Sequence, residues 1–101
     1  MAVTSKTLSR GAATTNTATT LYTVPSATTT VISNIAVTNT AASAGTFTLA
    51  LAGTALHTTT AIAANTTIYI DCKQTLTATQ TITGGASATT INFHSSGVEV
   101  I

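Results

Sequence analysis

Five side chains in this sequence could act as nucleophile, general acid or base, or metal ligand: Cys72, His57, His94, Asp71 and Glu99. A cysteine nucleophile needs a histidine beside it in space and a third group to orient that base. The spacing of His57, Cys72 and His94 signals neither. Asp71-Cys72-Lys73 is the one cluster of charges, and a lysine next to a thiol lowers its pKa. The same tripeptide also reads as a polar turn carrying a small, half-buried cysteine, and that is the reading taken. No Cys-x-x-Cys or His-x-His spacing is present to hold a metal. His57 and His94 are expected at exposed strand ends or interfaces. A metal site on a symmetry axis, with one His57 or His94 per subunit, stays open. Asp71 and Glu99 would have to be the carboxylate pair of a glycosidase, but they are the only acids in the chain, so supply forces the pairing. No catalytic residue, cofactor or metal site is expected, and the chain is not expected to be an enzyme.

Binding is the remaining chemistry. Carbohydrate recognition wants exposed aromatic platforms, and the chain offers Tyr22, Tyr69, Phe47 and Phe93 without a tryptophan. Alternation assigns both phenylalanines to the core, which leaves the tyrosines. The run Thr75–Thr83 alternates threonine with Leu76, Ala78 and Ile82. It is expected to present Thr75, Thr77, Thr79, Thr81 and Thr83 on one strand face as a partner interface. Threonine there supplies a stiff β-branched stem and a hydroxyl that can pair across strands, and an uncharged strand is a template for a neighbour's strand. A flat threonine array could also bind ice, but the irregular Thr-x-Thr intervals argue against one. Lys6 and Arg10 supply two of the three basic residues. They are expected in an arm that is either solvated or laid on a neighbouring subunit.

These residues must be positioned by strands. Threonine accounts for roughly a quarter of the chain and favours strand over helix. No stretch keeps apolar residues at helical spacing for three turns, whereas many alternate. Residues 1–19 are small and polar and read as an extended N-terminal arm, with a strand near Val3–Leu8. Residues 20–101 read as one β domain of about eight short strands. These are Leu21–Val24, Val31–Asn39 with Val31, Ile35 and Val37 on one face, Thr46–Leu51, Leu56–Ile62, Thr67–Asp71, Thr75–Thr83, Thr89–His94 and Val98–Ile101. Turns are expected at Pro25-Ser26, Asn39–Gly45, Gly53, Ala63-Ala64-Asn65, Gly84-Gly85 and Ser95–Gly97. Parallel pairing would need crossover helices, so the expected fold is all-β, an antiparallel β-sandwich or jelly roll.

Composition bounds the partners. The 101 residues point to one domain. Apolar residues make up 44% of the chain, so it is no disordered tail. Charged residues make up 5%, against about 25% in ordinary domains. Phosphate neutralisation needs clustered Lys and Arg, so no nucleic-acid partner is expected. Apolar runs are too short for a membrane helix, and no membrane partner is expected. The opening Met-Ala-Val-Thr-Ser-Lys-Thr is not followed by an apolar signal region, so assembly in a cytoplasm is expected. Mixed surface charge opposes association. A neutral β surface is therefore expected to be covered in the working state.

The stretches Leu21-Tyr22-Thr23-Val24-Pro25, Thr30–Ile35, Val37–Thr40 and Thr46–Leu51 resemble small β-sandwich structural proteins of tailed-bacteriophage virions. The Ile62–Asn65 turn and the ending Ile91-Asn92-Phe93 through Gly97–Val100 share that resemblance, which covers roughly residues 20–101. It implies a binding and stabilising role without catalysis, as a capsid decoration (cement) protein or a tail or fibre module, often as a homotrimer. The expected location is the virion, and the expected partner is the major capsid protein or another virion protein. The alternative is a tail, baseplate or fibre module attached to host-surface glycans. The chain departs from such proteins in its poverty of charge and wealth of threonine.

Overall fold

In the computed structural model, which describes residues 2–101, nine strands follow one another. They are β1 (Val3–Ala12), β2 (Thr20–Thr23), β3 (Thr29–Asn39), β4 (Gly45–Leu51), β5 (Thr54–Ile62), β6 (Thr66–Ile70), β7 (Gln74–Leu76), β8 (Thr81–Ala86) and β9 (Ile91–Val100). Every pairing is antiparallel. One sheet runs β1-β9-β3-β6, with β7 also on β3, and the other runs β2-β8-β4-β5. The chain changes sheet at every connection except β4–β5 and β6–β7. With β7 set aside, four strands of each sheet interleave in jelly-roll order.

Alternation builds the core between the sheets. On β4, Phe47, Leu49 and Leu51 are buried while Thr46, Thr48 and Ala50 are not. Phe47 meets Phe93 of β9 edge-on, with ring centroids 6.4 Å apart. Ile32, Ile35, Ile62, Leu76, Ile82 and Ile91 fill the space around them. Each such side chain contributes about 1.5–3 kcal/mol by leaving water. The hairpin from β4 to β5 turns on Ala52 and Gly53, whose φ angles of 51° and 79° suit a tight two-residue turn.

Several expectations need correction. The strand expected near Val3–Leu8 in the arm is present but longer: residues 3–12 are β1, paired with β9 from Val3↔Val100 to Ala12↔Asn92, while residues 13–19 are not strand. Met1 lies outside the described residues. The expected strand Thr75–Thr83 is two strands in different sheets. Thr75 lies on β7, Thr81 and Thr83 lie on β8, and Thr77 and Thr79 belong to the turn between them. The Gln80 side chain accepts from the Thr77 backbone N–H at 2.8 Å, and Thr79 adopts φ 70°. Leu76 and Ile82 keep one parity because both sheets face one core.

Gly84 and Gly85 are not a turn but the interior of β8. A Cβ on Gly84 would lie 2.5 Å from the Thr48 carbonyl oxygen, and one on Gly85 would lie 2.5 Å from that of Asn16. The connection from β1 to β2 thus rests on β8, and the backbone N–H of Gly84 and of Ala86 donates to Thr19 and Thr14.

Ser95–Gly97 is likewise no turn but the middle of a single ten-residue β9. Register shifts on both flanking strands face it, one between Thr7 and Ser9 and one between Ile32 and Asn34. Each leaves one extra residue, Leu8 on β1 and Ser33 on β3, which is the signature of a β-bulge. The β3 bulge resets parity, so Thr30 and Ile32 face the core before it and Ile35, Val37 and Asn39 face it after. Val31 points the other way from Ile35, contrary to expectation.

Candidate interaction surfaces and the buried polar cluster

Strand ends bring four polar residues from both sheets together. Thr30 on β3 and Glu99 on β9 are register partners and both face the core. Lys6 on β1 sits opposite Gly97, two residues from Glu99. Its Nζ donates to both Glu99 carboxylate oxygens at 3.3 Å. Tyr22 reaches across from β2 in the other sheet. Its hydroxyl donates to Glu99 Oε2 and lies 2.8 Å from Thr30 Oγ1.

The ionisation of the cluster follows from these contacts. The Tyr22 O–H, above all, holds the Glu99 carboxyl below the usual carboxylate range. Burial opposes it and Lys6 assists. Burial, and then the Glu99 carboxylate, pushes the Tyr22 phenol above its ordinary value. The arrangement ties four strands together across the sandwich. It gives Glu99 a structural partner set, and it makes Tyr22 a core residue at 9% exposure rather than a glycan platform.

The other chemical candidates are dispersed. Lys73 Nζ pairs with Asp71 Oδ2 at 3.6 Å, with both side chains mostly in solvent. Cys72 between them is half-buried, and its thiol is pushed up by burial and by Asp71 rather than lowered by lysine. His57 lies on β5 with its ring 5.2 Å from that of Phe47, and its Nδ1 lies 3.2 Å from Thr60 Oγ1. His94 is half-buried in mid-β9, opposite Arg10 and Ala36. No group of three or more His, Cys, Asp or Glu side chains among the described residues could hold a metal ion. No helix among them is long and apolar enough to cross a membrane.

Of the expected interface residues, Lys6 is therefore committed to Glu99 within the molecule, while Arg10 remains exposed on β1. Thr75, Thr77 and Thr79 are exposed, and Thr81 and Thr83 half-buried, without forming one ladder. Thr20, Thr83 and Ala50 instead make a row across the outer face of the second sheet.

Strand edges and one sheet face stand open. β1 pairs on one side alone, as do β2 and β5 in the other sheet, so its other backbone edge is free, and Val3 is 65% exposed. The outer face of the β1-β9-β3-β6 sheet carries Tyr69, 73% exposed. Tyr69 was one of two candidate platforms in the sequence, and its alternation with Ile68 and Ile70 was the signal that placed it outward. No protein-family model matches the chain, nor does any curated protein or solved structure.

Proposed function

We propose that this chain is a non-enzymatic structural protein of a tailed-phage virion, a capsid decoration protein that binds and stabilises the head. The observation that carries the reading is the internal pairing of four of the five charged side chains, Lys6 with Glu99 and Asp71 with Lys73. The surface around these pairs and the lone Arg10 is mostly hydroxyls and small side chains, with free strand edges such as that of β1. Such a surface costs less to desolvate than a charged one when another protein covers and hydrogen-bonds it, and an open edge strand can extend into a neighbour's sheet. Jelly rolls serve as capsid and as lectin domains, which agrees with the reading without deciding it. The partner is the major capsid protein or another virion protein, the working form a homotrimer, and the place the virion, assembled in a host cytoplasm.

Co-sedimentation with expanded phage heads, together with analytical ultracentrifugation of the free protein, tests this. Saturable binding at a fixed ratio to capsid subunits is expected. A monomer that ignores expanded heads would sink it.

A second reading has its own observation. The exposed ring of Tyr69 on an outer sheet face favours a tail, baseplate or fibre module that attaches to host-surface glycans. Glycan-array binding that is lost on changing Tyr69 would favour it over decoration.

A further inference from the structure

The outer face of the β1-β9-β3-β6 sheet gathers side chains that are scarce elsewhere in this chain. Arg10 on β1 pairs in register with His94 on β9, His94 with Ala36 on β3, and Ala36 with Tyr69 on β6. Cross-strand partners share a face, so these four form one row. It spans three strand spacings, about 14 Å.

Each member brings something distinct. Arg10 is the one charged side chain without an ion-pair partner among the described residues, so the formal net charge of +1 resides there. Tyr69 is the aromatic ring most exposed to solvent. Ala36 is the smallest side chain of the row and sits between the larger His94 and Tyr69.

Hydrogen-bonding groups flank Ala36 along the strands. On one side Ser96 Oγ donates to Asn34 Oδ1 at 3.1 Å. That leaves the Asn34 amide N–H donors without a partner among the described residues. On the other side the Thr38 and Thr67 hydroxyls meet at 3.1 Å. Neither acid of the chain opposes Arg10: Glu99 faces the core and Asp71 is paired with Lys73. The row is therefore complementary to an anion.

We infer that this row is a binding site for a short acidic oligosaccharide, with a sugar ring on Tyr69, its hydroxyls on the flanking amide and hydroxyl groups, and its carboxylate on Arg10. An aromatic face presents negative π density to the C–H edge of a sugar ring. A guanidinium holds a carboxylate through two parallel hydrogen bonds. Neutral amides and hydroxyls match sugar hydroxyls donor for acceptor. This inference rests on the glycan reading above and is independent of the decoration reading.

The test titrates a trisaccharide ending in a uronic or sialic acid, and its neutral counterpart, into the full chain, followed by calorimetry and by backbone amide shifts. The acidic sugar is expected to bind more tightly and to shift amides of residues 34–38, 67–69 and 92–96. Tyr69→Ala is expected to weaken both sugars by about tenfold, and Arg10→Gln to weaken only the acidic one by about tenfold. Ala36→Glu, which puts a carboxylate of the sugar's own sign in the middle of the row, should abolish acidic-sugar binding. Both Tyr69 and Arg10 are exposed, so their variants keep the fold. Binding untouched by these substitutions overturns the site but leaves the glycan reading standing. No binding of either sugar overturns both. Loss of self-association in Tyr69→Ala without any sugar effect makes the row a protein interface and overturns the inference.

Discussion

Tyr22 and Glu99 belong to different sheets and are 77 positions apart in the chain, yet the tyrosine hydroxyl donates directly to the carboxylate. With Thr30 and Lys6 the pair closes a polar contact through one end of the core. A buried carboxylate is tolerable only while its partners are present.

Tyr22→Phe should therefore destabilise the protein by about 1–3 kcal/mol, since it removes a donor and leaves the acceptor buried. In a domain of this size that is roughly 4–8 °C of Tm for each kcal/mol. Thermal melts check the effect. Tyr22→Phe in a Glu99→Gln background should cost less than it does alone, which a double-mutant cycle reads as coupling.

The same pair sets a pH window. The Glu99 carboxyl is held below its unfolded value. Its stabilising contribution is thus present above about pH 4.3 and lost as pH falls through the lower folded value. The Tyr22 phenol is raised, so its contribution is present below about pH 10 and lost as pH rises through the higher folded value. Denaturant melts from acid to alkaline pH should show both losses. Glu99→Gln should flatten the acid limb, and an unchanged acid limb in that variant would count against the assignment.

Gly97→Ala should be among the most damaging single-methyl additions. The new Cβ would clash with the Val31 carbonyl oxygen and come within 3.1 Å of the Ile32 Cα. Both are backbone of a paired strand and cannot swing aside, so at least about 1–3 kcal/mol is expected. Gly11→Ala on the edge strand meets nothing within 4 Å and should be neutral. Urea melts of the two variants provide the comparison.

Thr79 is β-branched yet adopts φ 70° in the turn between β7 and β8. Thr79→Gly should stabilise by up to about 1 kcal/mol, because relief of the left-handed strain of about 1–3 kcal/mol exceeds the entropy cost of glycine. A lower urea midpoint in the variant would contradict this.

What the sequence made legible was local alternation. Thr46–Leu51 is read correctly residue by residue, because a half-buried strand repeats every two residues and nothing interrupts it. Thr75–Thr83 failed for the same reason. The chain leaves one sheet and enters the other around Thr77–Gln80 without breaking parity, so alternation cannot mark the crossing. Gly84, Gly85 and Gly97 misled because glycine marks turns and close backbone approaches alike. In the fold, Thr48, Asn16 and Val31 decide which applies. The polar cluster was out of reach, since Lys6 and Glu99 are 93 positions apart. The Arg10–His94–Ala36–Tyr69 row was equally hidden, because it exists only in the register of four strands.

The pairing of β1 with β9 also imposes an order of events. Ala2 and Ile101 exchange backbone hydrogen bonds at 2.9 and 3.2 Å, so residues near the start of the chain find their neighbours only after those near its end exist. On the ribosome, β1 must wait unpaired while the rest of the jelly roll is made, and closing so long a loop slows folding. Under tension the geometry works the other way. A pull at residues 2 and 101 would part the two strands pair by pair from one end, so the molecule should yield to low force there and resist best when loaded along its strands, where many hydrogen bonds must part together.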